Sequence, residues 1–386
     1  MKYDAAVIGA GPAGAYCAKI LASRGLKVLL MDKEKFPRDK VCGGLISAKA
    51  LELIQDDQLN KLLSKIRPNP IQKIILTCGQ KEVTKKKDRV LGLVVKRKEF
   101  DEALVNIAAD GGADFVDHCE YITHRDLKSV FEIYTTKGTF FSDYLIGADG
   151  AFSKVARESK LRQRFLKWEM GFAVCSEIPR EMIIEKNGIE FVLAKVLGGM
   201  GWVFSGNDFV NLGVGGYATE ANRIFQCTKR LLAERLIDKN SHFDLKGYFL
   251  PAGGRKRPIA RDRIFLVGDA AGLVDPFSGE GVFYALKSSQ IAADTIENNK
   301  QSKDYEQTCY KTLLKEFRFS ALLSVFLGDR NQILKKGIEM ESMEAFEKIL
   351  TVPPQKGCYK SIISRIIKHG ISPVSPYLWL KSLLLT

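Results

Sequence analysis

The stretch Tyr3–Glu34, "YDAAVIGAGPAGAYCAKILASRGLKVLLMDKE", decides how the rest of the chain is read. An apolar run meets a cluster of small residues, an apolar-periodic segment follows and stops near Gly25, and a second apolar run covers Lys27 to Met31. That order predicts strand, tight turn, helix and strand. Gly9, Gly11 and Gly14 stand at the turn as GxGxxG, with Pro12 and Ala13 between the last two. The first glycine permits the turn, the second lets a pyrophosphate approach, and the third lets helix and strand pack closely. The helix N-terminus then offers N–H groups and the positive end of its dipole to phosphate. GxGxxG alone is a weak signal, because glycines recur in turns. Asp32 strengthens it: it ends the second strand, beside Lys33, where an acid accepts hydrogen bonds from an adenosine ribose. A dinucleotide site follows, without a choice between FAD and NAD.

Two later motifs bear on that choice. "YLIGADGAFSKVAR" (144–157) predicts a short strand, then Asp149 and Gly150, then Ser153 and Arg157 in a helical continuation. "IFLVGDAAGLVDP" (264–276) predicts another strand, ending in Gly268 and Asp269, and a helix opens after it through Ser278, Gly279, Glu280 and Gly281. Glycine in such density means that backbone must approach something closely or adopt φ values that a Cβ forbids. In this order and at these separations, the three motifs resemble the flavoprotein hydroxylase and geranylgeranyl reductase superfamily, which shares the para-hydroxybenzoate hydroxylase fold. The resemblance covers roughly residues 1–300 and implies FAD. It implies that Asp269 binds the ribityl chain and that Gly279 and Gly281 lie against the isoalloxazine, with Pro276 and Val282 in the same cofactor-binding segment. The helix starting near Ser278 would aim its dipole at the flavin's pyrimidine end, and the long helix itself is expected from Val282 to about Glu297.

Between the first two motifs lies "FPRDKVCGGLIS" (36–47). Its Arg/Lys, Cys, Gly, Gly order is similar to the geranylgeranyl reductase branch, in which the cysteine stands near the reacting ring. The resemblance makes Arg38, Cys42, Gly43 and Gly44 cofactor contacts, and Cys42 the catalytic candidate, as proton relay or packing group. "VVKRKEFDEALVNIAADGGADF" (94–115) also resembles the branch, and there Arg97 would touch the ribityl or pyrophosphate. Read instead as an ordinary amphipathic helix, the segment would leave Asp101 on the surface. The β-rich remainder, with a hairpin turn at Ser205 to Asp208, reads as one antiparallel sheet roofing the flavin. The branch, and related halogenases, carry an aromatic-x-Trp-x-apolar-Pro signature on this sheet. Trp202 and Phe204 match it, whereas Met200 and Ser205 replace the leading aromatic and the closing proline. These departures leave Met200, Trp202 and Phe204 as substrate candidates and the substrate itself open.

The expected fold is therefore α/β: a Rossmann-like FAD-binding domain (glutathione reductase type 2) with an inserted antiparallel β-sheet substrate domain and a helical C-terminal region. The expected boundaries are 1–70, 97–164 and 251–300 for the FAD-binding domain, 71–96 and 165–250 for the sheet, and 301–386 for the helical region.

Composition narrows the remaining choices. The 386 residues are 46% hydrophobic and 27% charged, as in a folded globular protein. The net charge of +14 is scattered, with short clusters only at 85–89, 96–98 and 255–257, and no nucleic-acid-binding signature accompanies it. The eight cysteines form no CxxC and have no histidine at ligand spacing, which points to a reducing, cytoplasmic setting without a metal site. No run reaches the roughly 18 apolar residues of a membrane span. The C-terminal segments "YKSIISRIIKHG" (359–370) and "PYLWLKSLLLT" (376–386) are basic and apolar. They read either as a peripheral membrane contact or as a cap packed on the protein. The expected activity is reduction of carbon–carbon double bonds in an apolar, isoprenoid or prenylated lipid. With only one GxGxxG, the electron donor is external: NADPH, ferredoxin or a flavin reductase. The alternatives are a monooxygenase or halogenase of the same fold acting through a C4a-peroxyflavin, and a flavin-binding protein without turnover.

Overall fold

The strand Lys2–Ile8 runs through the middle of an eight-stranded sheet in the computed structural model, which describes residues 1–54, 60, 63–64, 66–193, 196, 198–252, 256–327 and 339–368. It pairs in parallel with Val28–Met31 on one side and with Gly138–Gly147 on the other. Asp114–Val116 extends the parallel set past Val28–Met31, and Ile264–Leu266 extends it past Gly138–Gly147. Ala5, Ala6 and Val7, like Val28 to Met31, have no exposed surface. A strand buried on both faces reads as a continuous apolar run, which is why the sequence shows no alternation here. The covering helix Pro12–Ser23 lies between Arg97–Asp110 and Val282–Glu297. As expected, it ends just before Gly25, which takes φ +84°.

The second sheet has seven strands in the order Lys246–Leu250, Gly171–Pro179, Phe209–Tyr217, Met200–Ser205, Ile189–Val192, Lys73–Cys78 and Lys81–Lys86. Every neighbouring pair is antiparallel except Ile189–Val192 with Lys73–Cys78, which run parallel. Those two strands come from separate insertions, so no hairpin fixes their relative direction. The expected hairpin at Ser205 to Asp208 joins Met200–Ser205 to Phe209–Tyr217. Helix Ala221–Arg235 covers one face of the sheet through Ile224, Leu231 and Leu232. The opposite face carries Phe191 and Phe204 and meets Met343, Phe346 and Leu350 of helix Glu339–Thr351. A small antiparallel sheet, Leu45–Ser47, Gly92–Val94 and Asn69–Ile71, stands beside both.

One expectation needs correction here, and one open choice is decided. The long helix after Asp269 runs Val282–Glu297 as expected, with Gly281 as its N-cap, but the opening expected near Ser278 is not helical. Asp275 explains the delay: its Oδ1 accepts hydrogen bonds from the Phe277 and Ser278 amides at 3.0 and 2.8 Å, which folds 275–278 into a turn. The open choice concerns 359–370, where the described residues take the packed alternative. Helix Cys358–Lys368 turns Tyr359, Ile362 and Ile363 into a core with Leu322 and Leu323 of helix Lys315–Leu327. Its first amides donate to Glu316, Tyr359 N at 3.0 Å and Lys360 N at 3.3 Å. Those isoleucines are thus packing groups, not a membrane-facing stripe. Residues 369–386, including Trp379, lie outside the described residues. Among the described residues no helix is long and apolar enough to cross a membrane.

Candidate active site

A cavity of about 1000 Å³ lies between the two large sheets and is also lined by helix Glu339–Thr351. Its polar end is built by the Gly9–Gly14 turn. Gly9 adopts φ +100°, and a Cβ there would stand 2.5 Å from the Ala148 carbonyl oxygen. Gly14 carries the same constraint from behind, since its Cβ would meet the Gly9 carbonyl oxygen at 1.8 Å. The helix N-cap, Gly11, has no side chain to satisfy the first amides, so the terminus is open to an anion. Asp32 Oδ2 accepts from Ala10 N at 2.7 Å and Oδ1 from Glu34 N at 2.9 Å, so the acid both fixes the glycine loop and lines the cavity.

Two further carboxylates reach the same space. Asp149 Oδ2 accepts from Lys154 N at 2.7 Å and Val155 N at 3.1 Å, while its Oδ1 is buried without a partner among the described residues. Burial pushes its carboxyl up, against the pull of those hydrogen bonds. The carboxylate of Asp269 makes no hydrogen bond among the described residues. Burial raises it too, opposed by Lys40 and Arg97. Gly281 lies alongside, its would-be Cβ 3.3 Å from Asp269 Oδ1. An orphaned buried oxygen, an unsatisfied carboxylate and an open helix terminus in one cavity suit a ligand that brings hydroxyls and phosphates. FAD brings both, so the residues present fit it.

The loop 36–44 closes one wall. Arg97 is almost wholly buried and donates to Asp101 at 2.9 and 3.1 Å, and Arg38 stands 3.4 Å from the same carboxylate. Asp101 is fully buried, not a surface residue. Burial pulls the Arg97 guanidinium down, but Asp101 and the Cys42 thiol outweigh it and hold the charge in place. The Cys42 carbonyl accepts from Asn211 Nδ2 at 2.8 Å, and Asn211 Oδ1 accepts from Trp202 Nε1 at 2.8 Å. Gly43 is pressed below that pair, with Trp202 and Phe204 atoms 3.2 Å from where its Cβ would be. The apolar end is aromatic: Phe204 meets Phe191 edge-on at 5.5 Å, and Phe346 stacks on Phe191 at 4.5 Å.

All the expected site residues come together here except two that stand just behind the wall. Arg38, Arg97, Cys42, Gly43 and Gly44 line the cavity with Lys33, Pro12 and Ala13; so do Gly150, Pro276, Gly279, Gly281 and Val282, and Met200, Trp202 and Phe204. Gly14 backs Gly9, and Gly268, at φ +56°, packs against Ala13. Four residues escaped the sequence reading. Asn211 shows only as one amide in an apolar strand, and Asp275 as an acid before proline. Lys49 is a buried lysine whose Nζ stands 2.8 Å from Glu280 Oε2 and donates to the Ile349 carbonyl at 2.6 Å. Phe346 comes from a distant helix and gives no local signal.

Known proteins share this fold and much of this sequence. The chain is 25% identical over 388 residues to digeranylgeranylglycerophospholipid reductase of Methanococcus aeolicus, covering 94% of this chain and 98% of that one. It is 30% identical over 333 residues to menaquinone reductase of Mycolicibacterium smegmatis, covering 82% and 81%. The crystal structure of a geranylgeranyl bacteriochlorophyll reductase-like protein from Thermoplasma acidophilum superposes with a TM-score of 0.78 at 20% identity, covering 95% of this chain and 99% of that one. The resemblance read from the motifs is thus borne out. Residues 2–289 match the model of the FAD binding domain family, and the chain belongs to that family as an FAD-dependent oxidoreductase.

Proposed function

We propose that the protein reduces carbon–carbon double bonds of an apolar, isoprenoid-bearing substrate. The observation that carries this reading is the shape of the cavity: carboxylates and an open helix terminus at one end, Phe191, Phe204, Phe346 and Trp202 at the other. Bound FAD supplies hydride chemistry. The chain's own residues do the rest. Asp32, Asp149 and Asp269, with the Gly9–Gly14 turn, hold the cofactor. Cys42, positioned through its carbonyl by Asn211 and lying beside Arg97, is the candidate proton relay. Met200, Trp202 and Phe204 orient an apolar chain, and the aromatic wall excludes water. Two relatives named for reductions of isoprenoid-bearing molecules support the same class. Residues 1–70, 97–164 and 251–300 serve as the cofactor unit, with 71–96 and 165–250 as the substrate unit and 301–386 as a helical unit. The electrons come from an external donor.

The test is anaerobic incubation of chemically reduced protein with prenylated quinone and prenylated phospholipid, followed by mass spectrometry. A gain of two hydrogens per saturated bond is expected. Unchanged lipid without oxygen, together with an oxygenated or halogenated product when oxygen is admitted, would overturn the reading.

A further inference from the structure

Lys40 stands on the same loop as Arg38 and Cys42 and lines the cavity. Its ammonium lies 3.2 Å from the centroid of the Tyr248 ring, and among the described residues it makes no hydrogen bond and no ion pair. The neighbouring cations are already committed, since Arg97 and Arg38 both turn to Asp101. Five groups act on Lys40: Asp269 from the turn Gly268–Ala271, Arg97 from its helix, Arg38 and Cys42 from its own loop, and Tyr248 from the platform strand beneath it. Burial pulls the ammonium down to about 8, with Arg97 and Arg38 helping and Asp269 and Cys42 opposing. A half-buried ammonium whose three donors meet only an aromatic face gains from any anionic occupant.

Adding two electrons and one proton to a flavin adds one net negative charge. We infer that Lys40 is the cation that takes up this charge, so that it sets the reduction potential of the bound flavin and couples that potential to pH. The inference rests on FAD occupying this cavity. The sign follows directly. Negative charge on the reduced cofactor raises the Lys40 ammonium above its value in the oxidised protein. At pH values between the two, reduction draws an extra proton onto Lys40, and the potential falls more steeply with pH than on either side.

The experiment is an anaerobic potentiometric titration of bound FAD from pH 6 to 10 in the wild type, Lys40→Met and Lys40→Arg. In the wild type a window of steeper pH dependence is expected within this range. Lys40→Met should lose that window and, at pH 7, favour the reduced over the oxidised cofactor about tenfold less, a lower potential. Lys40→Arg should keep a near-wild-type potential at pH 7 and lose the window, because arginine does not titrate in this range. If Lys40→Met holds no FAD, the wild-type profile and Lys40→Arg decide. Three proteins with the same potential and the same pH profile would overturn the inference while leaving the FAD site intact. A wild type that binds no FAD would overturn both.

Discussion

A methyl group on Gly14 would sit 1.8 Å from the Gly9 carbonyl oxygen, whereas one on Gly25 would meet nothing within 4 Å although φ there is +84°. The two glycines therefore serve different ends. Gly14 lets a helix touch the turn that faces the cofactor, and Gly25 lets the chain reverse. Gly14→Ala is expected to destabilise the protein by about 2 kcal/mol or more, through a clash with backbone that cannot move aside. Gly25→Ala should cost about 1 kcal/mol, the strain of a non-glycine residue at positive φ. Urea denaturation of both variants measures the difference, and equal midpoints would contradict it. At this scale much of the site was legible, because a glycine packed into a strand-to-helix turn and an acid placed at a strand end each serve a narrow range of physical purposes. Lys40 is the exception: its place over Tyr248 depends on a strand some 200 residues away.

The contact between loop 36–44 and the platform strands is an element-scale device, and it turns on one amide. Asn211 accepts from Trp202 and donates to the Cys42 carbonyl, so it fixes the loop against the sheet. Asn211→Ala strands both partners, at a cost of about 1–3 kcal/mol. Asn211→Asp can still accept from Trp202, but it sets a carboxylate against the Cys42 carbonyl. Both variants should lower the urea midpoint and shift the visible spectrum of the bound cofactor, whereas a wild-type midpoint and spectrum in Asn211→Ala would contradict the positioning role. Strand and helix types followed from the apolar runs and their stops, as in Pro12–Ser23, which ends before Gly25. What escaped was partnership between elements. The parallel pairing of Ile189–Val192 with Lys73–Cys78 leaves no mark on either strand, and the buried Ile362 and Ile363 sit in a pattern that a membrane-lying helix would also show.

Across the whole molecule, separated stretches of chain converge on one cavity, and each contributes what the others lack. The first strand and its turn give an anion site, the strand ends at Asp149 and Asp269 give carboxylates, the platform gives an aromatic wall, and helix Glu339–Thr351 adds Phe346 to it. Binding of FAD follows from that convergence, and within it Asp269 is a carboxylate left without a hydrogen bond among the described residues. Titration of cofactor-stripped protein with FAD, followed by calorimetry, tests this most directly. One FAD per chain is predicted for the wild type, with affinity reduced about tenfold or more in Asp269→Ala, the loss of charge-assisted hydrogen bonds. A wild type that takes up no FAD, or an Asp269→Ala protein that binds it as tightly as the wild type, would contradict the account.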